Sequence, residues 1–216
     1  MGKVVDILKK VNAIITDSHI VYTSGKHGSV YINKDALYPH TQETSEICKL
    51  MAEMFKNKNI EVVVAPAVGG TILSQWVAYY LSKLKGKEIL SAYTEKDAGT
   101  TASAAESNQL LRRGYDQIVK GKKALVLEDL TTTGMSVKKV VDCVRQAGGQ
   151  VVSVCVMVNR DPTNVNAAFV GAPFVAADIL EALAFDAAEC PLCKDNVPIN
   201  TTVGHGKKYL EEKAKK

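Results

Sequence analysis

The feature that most constrains this chain is an alternation through its middle: a short apolar run, a loop of small residues, then a helical pattern. Residues 61–65 lead into Pro66-Ala67-Val68-Gly69-Gly70 and a helix to about Leu84, and residues 88–93 form the next strand. Residues 123–129 run into a loop at 130–134 and a helix over 135–147, which Gly148-Gly149 stops. Residues 151–158 suit a strand buried on both faces, and 174–178 form a last one. Strands separated by helices pair side by side through crossovers, so this order predicts an α/β fold with a parallel sheet and helices on both sides.

The flanks read differently. Val4, Val5, Ile7, Leu8, Val11, Ile14 and Ile15 recur at helical spacing, which predicts an amphipathic helix over the first 15 residues. Residues 19–33, with Ser24-Gly25, Gly28 and alternating Val30, Tyr31 and Ile32, read as a turn and short strands, and a second amphipathic helix covers 41–56. Segment 97–109 holds only small and polar residues with nothing large to bury, as expected of a loop that closes over a site.

With 216 residues, 46% of them hydrophobic, the chain suits one compact domain over 1–216 and excludes a disordered or disulfide-dense chain. No run approaches the roughly 18 apolar residues of a membrane span, and the start lacks the pattern of a secretion signal, so a cytoplasmic protein without a membrane partner is expected. Five cysteines are an odd count, and Cys48, Cys143 and Cys155 sit in apolar runs where a reduced, buried thiol is expected. The net charge of +4 belongs to the ends: the first ten residues carry +2 and the last ten +3, so the other 196 carry −1. No charge surplus marks the body as a nucleic-acid surface.

The run Ala124-Leu125-Val126-Leu127-Glu128-Asp129-Leu130-Thr131-Thr132-Thr133-Gly134-Met135-Ser136 carries the chemistry. Its apolar strand delivers two carboxylates to the carboxyl end, where open α/β sheets bind ligands. Backbone N–H groups at the helix start, with the hydroxyls of Thr132, Thr133 and Ser136, suit a phosphate monoester, and Gly134 allows close approach. The carboxylates suit ribose hydroxyls, a hydrated Mg²⁺ or a developing cation. Neither the phosphate loop of nucleotide triphosphatases nor the dinucleotide glycine fingerprint is present.

This run resembles the phosphoribosyl-pyrophosphate (PRPP) motif of type I phosphoribosyltransferases. The resemblance implies a central five-stranded parallel sheet flanked by helices, an N-terminal hood within residues 1–40, a flexible loop, Mg²⁺ carried by PRPP, and a homodimer. It implies that Glu128 and Asp129 hold the ribose while Thr131, Thr132, Thr133, Gly134, Met135 and Ser136 cradle the 5′-phosphate. Ala67, Val68, Gly69 and Gly70 look like the family's pyrophosphate loop, and Tyr93-Thr94-Glu95-Lys96 with the segment after it is similar to the loop whose cations cover the diphosphate. Lys96, Arg112 and Arg113 are candidates there, Lys96 and Asp129 for the catalytic role.

Within the family, residues 23–33 resemble the Ser-Gly segment of orotate phosphoribosyltransferases, although Thr23 stands where Lys is usual and segment 97–109 lacks the family's Lys and His. Arg160 falls where that group sets an Arg on the orotate carboxylate, a bidentate pairing suited to an acidic base. Lys26, Tyr31, Thr132 and Arg160 are thus the expected base contacts, with PRPP and orotate as substrates. A phosphoribosyltransferase for another base, purines included, and a non-catalytic PRPP-binding regulator remain alternatives. In the C-terminal extension over 186–216, Cys190-Pro191-Leu192-Cys193 has the spacing of half a zinc site and also reads as a turn with two reduced thiols; His205 lies downstream and no fourth ligand is apparent. Similar Cys-Pro-x-Cys tails occur in some orotate phosphoribosyltransferase-like sequences. Gly204-His205-Gly206 reads as a loop without an assigned role.

Overall fold

The computed structural model describes residues 2–22, 24–97 and 108–214. In chain order its elements are α1 (Lys3–Lys10), β1 (Ile14–Ile15), β2 (Ile20–Val21), β3 (His27–Gly28), β4 (Tyr31–Ile32), α2 (Lys34–Leu37), α3 (Thr41–Glu53), β5 (Val62–Pro66), α4 (Gly69–Lys85) and β6 (Leu90–Lys96). Then follow β7 (Gln109–Leu110), α5 (Tyr115–Val119), β8 (Lys123–Thr131), α6 (Met135–Gln146), β9 (Gln150–Asn159), α7 (Ala167–Val170), β10 (Phe174–Ile179), α8 (Pro191–Lys194) and α9 (Gly206–Lys213).

The central sheet has the order β10-β9-β8-β5-β6-β7. Its first five strands run parallel, as the resemblance implied, and the two-residue β7 adds an antiparallel edge. From β5 the chain moves out to β6 and then crosses back to β8 on the other side, so β5 and β8 flank the switch point at which such sheets bind ligands.

Both faces of the sheet are covered, and strand alternation sorts the residues. Val63, Ala65, Leu125, Leu127, Cys155 and Met157 enter one apolar layer with α1, α3 and α4. Val62, Val64, Ala124, Val126, Val154 and Val156 enter the other, with α6. The same alternation sends Glu128 toward the α6 side and Asp129 toward the α4 side.

The first helix is shorter than its periodicity suggests. Asn12 takes a left-handed backbone with φ 54°, and Ile14–Ile15 pair with Tyr31–Ile32 as a ribbon. Apolar residues at helical spacing were thus divided between a helix and a strand that feed one core. Position 23 and most of segment 97–109, namely 98–107, lie outside the described residues. No helix among the described residues is long and apolar enough to cross a membrane.

Leu125 is fully buried on the central strand. Leu125→Ala should therefore lower unfolding stability by about 2–5 kcal/mol in denaturant titration; a loss under about 1 kcal/mol would show that this layer is not close-packed.

Candidate active site

Glu128 and Asp129 are 5% and 3% exposed at the carboxyl end of β8. A carboxylate this deep needs partners. Asp129 Oδ2 accepts from Lys34 Nζ at 2.7 Å and from Tyr38 OH at 3.0 Å, and Oδ1 accepts from the Leu130 backbone N–H at 2.7 Å. Burial pulls the Lys34 ammonium down, but the Asp129 charge and hydrogen bond outweigh it and hold the group above its usual range. Tyr38 is pushed far up, first by burial and then by the same carboxylate. Glu128, on the opposite face, accepts from the Asp129 backbone N–H at 3.2 Å and from the Ser136 side chain at the start of α6. Burial, then the neighbouring Asp129 charge, raises its carboxyl well above the ordinary carboxylate range.

The loop after β8 turns on Gly134, whose φ of 69° favours glycine. A Cβ there would also crowd Val165 and Phe169. No side chain caps α6 and no acid stands in its first turn, so its N–H groups face a cavity of about 190 Å³ walled by Glu128, Thr131, Thr132, Thr133, Gly134 and Ser136. This is an anion cradle with the Glu128 carboxyl at its back. Thr131 reaches its wall, but the hydroxyl donates to Asn159 Oδ1 at 2.9 Å. Met135 is largely exposed and does not line the cradle.

Across the switch point, Ala67 and Val68 precede α4, and Val68 is 81% exposed. Gly69 lies against Asp129 and Tyr38: any side chain would strike the Asp129 carboxylate and the Tyr38 hydroxyl. Gly70 packs closely, though less tightly, against Ala65 and Pro66. The two loops thus meet at one carboxylate.

Beside the cradle, cavities of about 580 and 430 Å³ share Tyr22, Ser24, Thr132, Thr133 and Arg160 as walls; Lys26 lines the first, and Tyr31, Gly204 and His205 the second. Arg160 is set by its backbone N–H, which donates to Thr131 O at 3.0 Å. Its guanidinium lies 4.7 Å over the Tyr22 ring, and Nη1 donates to Thr132 Oγ1 at 3.3 Å. Its Nε is buried with no hydrogen-bond partner among the described residues. A planar guanidinium that lines a cleft suits a carboxylate-bearing planar ligand.

All four residues expected at the base thus border one cleft. Lys96 and Arg112 stand apart, at the stem of segment 98–107: Lys96 pairs with Gln109 across β6 and β7, and Arg112 bonds Asp97 at 3.3 Å. Arg113 pairs with Glu95 at 2.9 Å. Neither Lys96 nor Arg112 lines the cradle or the cleft.

Sequence reasoning missed Lys34, Tyr38 and Tyr22. Lone residues carry no spacing signal; the available clue was that two acids at a buried strand end require a cation and donors from elsewhere in the chain.

The profile of the phosphoribosyl transferase domain matches residues 33–167, a range that includes the acid pair, the cradle and Arg160. The chain belongs to the phosphoribosyltransferase family. Among phosphoribosyltransferases, the orotate phosphoribosyltransferase of Caldanaerobacter subterraneus subsp. tengcongensis is 34% identical over 197 residues, 91% of this chain and 94% of that protein. That of Thermotoga maritima is 32% identical over 203 residues, covering 94% and 98%. The crystal structure of Mycobacterium tuberculosis H37Rv orotate phosphoribosyltransferase in complex with Fe(III) dicitrate shares the fold, with a TM-score of 0.63 and 22% identity over 82% of this chain and 96% of that one.

Two predictions follow from the buried pair. Gly69→Ala should leave the fold intact and reduce turnover at least tenfold, by displacing the Asp129 carboxylate; near-normal turnover would contradict the close approach. The raised Glu128 carboxyl means the folded chain holds this proton more tightly than the unfolded one, so ionisation costs stability as pH rises from the ordinary carboxylate range through the raised value. Glu128→Gln should therefore lose activity yet gain melting temperature over wild type on going from about pH 5 to about pH 8, by a few degrees, on the order of 1 kcal/mol. A gain independent of pH would contradict the assignment.

Proposed function

We propose that the chain is an orotate phosphoribosyltransferase, joining orotate to PRPP to give orotidine 5′-phosphate and pyrophosphate. The observation that carries this reading is the adjacency of the anion cradle, the buried acid pair and the Arg160 cleft at one switch point, and the names of its 32–34% identical relatives agree with it. The C1′–oxygen bond to the diphosphate breaks and a C1′–nitrogen bond to the base forms, with positive charge on the ribose in between. Positioning and electrostatics supply the catalysis.

In this reading α6 N–H groups with Thr132, Thr133 and Ser136 hold the 5′-phosphate, and Glu128 and Asp129 hold the ribose hydroxyls. The Ala67–Gly70 loop receives the diphosphate, with Lys96 and Arg112 supplied from the stem of segment 98–107. Arg160 orients the orotate carboxylate, with Lys26, Tyr31 and Thr132 completing the base site. The acid pair already accepts bonds from Lys34, Tyr38 and backbone N–H groups, and as hard oxygen donors Glu128 and Asp129 would help to hold a hydrated Mg²⁺ brought by PRPP. When bound, Mg²⁺ neutralises charge on the departing diphosphate.

The same reading takes residues 1–216 as one domain, with its hood in 1–40 and an extension over 186–216. Five unpaired cysteines support a reducing, cytoplasmic setting. On α4 the exposed Tyr79 stands edge-on to the partly buried Trp76 and Tyr80, an aromatic face that supports a homodimer.

Incubation with PRPP, Mg²⁺ and a panel of bases tests the reading by base absorbance and pyrophosphate release: orotate should turn over, and adenine or hypoxanthine should not. Turnover of a purine alone would reassign the base, and PRPP binding without turnover of any base would make the chain a regulator. Arg160→Ala should raise the orotate KM about tenfold or more, the loss of a charge-assisted hydrogen bond, with the PRPP KM changed less than about twofold. An equal rise for both substrates would contradict the role of Arg160.

A further inference from the structure

Outside the catalytic cleft, His19, His27, Cys190 and Cys193 bring four potential metal-ligating atoms within 4.8 Å of one another. His19 and His27 flank the β2–β3 hairpin, and Cys190 and Cys193 lie about 170 residues later, bracketing Pro191 and Leu192. The short helix α8 starts at Pro191 and puts the two thiols on one face, three residues apart. Cys193 Sγ is 3.3 Å from His27 Nδ1 and 3.6 Å from His19 Nε2, Cys190 Sγ is 3.8 Å from His19 Nε2, and the two ring nitrogens are 2.8 Å apart. A tetrahedron with Zn–S of about 2.3 Å and Zn–N of about 2.0 Å has edges of about 3.3–3.8 Å. Those three sulfur–nitrogen separations fall in that range, the remaining pairs lie within 4.8 Å, and the histidine pair needs to part by about half an ångström.

The surroundings suit a metal. His19 Nδ1 lies 2.7 Å from the Val197 backbone carbonyl, to which it donates as N–H, leaving the Nε2 lone pair directed at the cluster. The ring of His27 packs edge-on against Tyr209, with centroids 4.9 Å apart, and turns Nδ1 toward the cluster. Three of the four side chains are buried, and Cys193 is partly so.

We propose that His19, His27, Cys190 and Cys193 form a closed structural zinc site that clamps the N-terminal hairpin to the C-terminal extension. Two neutral imidazoles and two thiolates are a zinc donor set, and four protein ligands leave no open position for catalysis. The mechanical need is visible. Strands β2 and β3 have two residues each, too few to stand alone. The extension lies along them through reciprocal backbone bonds between His27 and Phe185 and a bond from Asn200 to His19 O, and the hairpin carries Tyr22, Ser24 and Lys26 into the cleft. The site also supplies the partners that the Cys-x-x-Cys pair lacked in sequence, two histidines from the far end of the chain.

Elemental analysis of the full chain, purified under reducing conditions without chelator and dialysed against Zn²⁺, should find about one zinc per chain, and Cys193→Ser should retain under about a fifth of it. Cobalt substitution of the wild-type chain should give the visible bands of a tetrahedral site and a thiolate-to-metal absorption, and stripping the metal should lower the melting temperature by at least about 5 °C. Wild-type protein that takes up neither zinc nor cobalt, or whose Cys190 and Cys193 are joined as a disulfide in mass analysis, would overturn the proposal whether or not the variants fold. Zinc retained undiminished in both Cys190→Ser and Cys193→Ser would place the metal elsewhere and also overturn it.

Discussion

A carboxylate that is 3% exposed is tolerable only where charge and hydrogen bonds replace the water it has lost, and at Asp129 those replacements come from the α2 segment and from its own strand. Lys34 supplies the opposite charge, Tyr38 a hydroxyl, and Gly69 the space that lets the second loop close against the acid. The α2 segment, the start of α4 and β8 therefore meet at one side chain. Its neighbour Glu128 faces the other way, and burial first, then the adjacent Asp129 charge, raises its pKa. Two adjacent acids thus acquire different environments from nothing more than strand alternation.

Much of this was legible in the sequence because periodicity and punctuation are local. The apolar runs at 61–65, 123–129 and 151–158 predicted strands of a parallel sheet, found at 62–66, 123–131 and 150–159, and the loop at 130–134 predicted an anion cradle, since both depend on consecutive residues. The division of residues 3–15 into a helix and a strand was not legible: Asn12 and the pairing of Ile14–Ile15 with Tyr31–Ile32 are tertiary outcomes. Lys34 and Tyr38 escaped for the same reason, 95 and 91 residues from the acid they serve. His19 and His27 read as parts of a turn region until the fold set them beside Cys190 and Cys193.

Stability and ligand contact are separated in space. The sheet and its two apolar layers position the acids and the cradle rigidly, whereas the walls of the base cleft come from short elements with little core of their own, the β2–β3 hairpin and the loops near Arg160 and His205. Such elements need tethers, and the chain supplies them as backbone bonds to the C-terminal extension, the Arg160–Tyr22 stack and the proposed metal clamp. The clamp is independent of the transferase reading: one concerns how the hairpin is held, the other what its inner face binds.

The central claim is that the buried Asp129 carboxylate, held ready by Lys34 and Tyr38, takes the ribose of PRPP. Titration calorimetry of Asp129→Asn with PRPP and Mg²⁺, alongside circular dichroism to verify the sheet, tests it most directly. The account predicts binding weakened at least about tenfold, about 1.4 kcal/mol, with an unchanged spectrum. Wild-type affinity in a folded Asp129→Asn chain would contradict it.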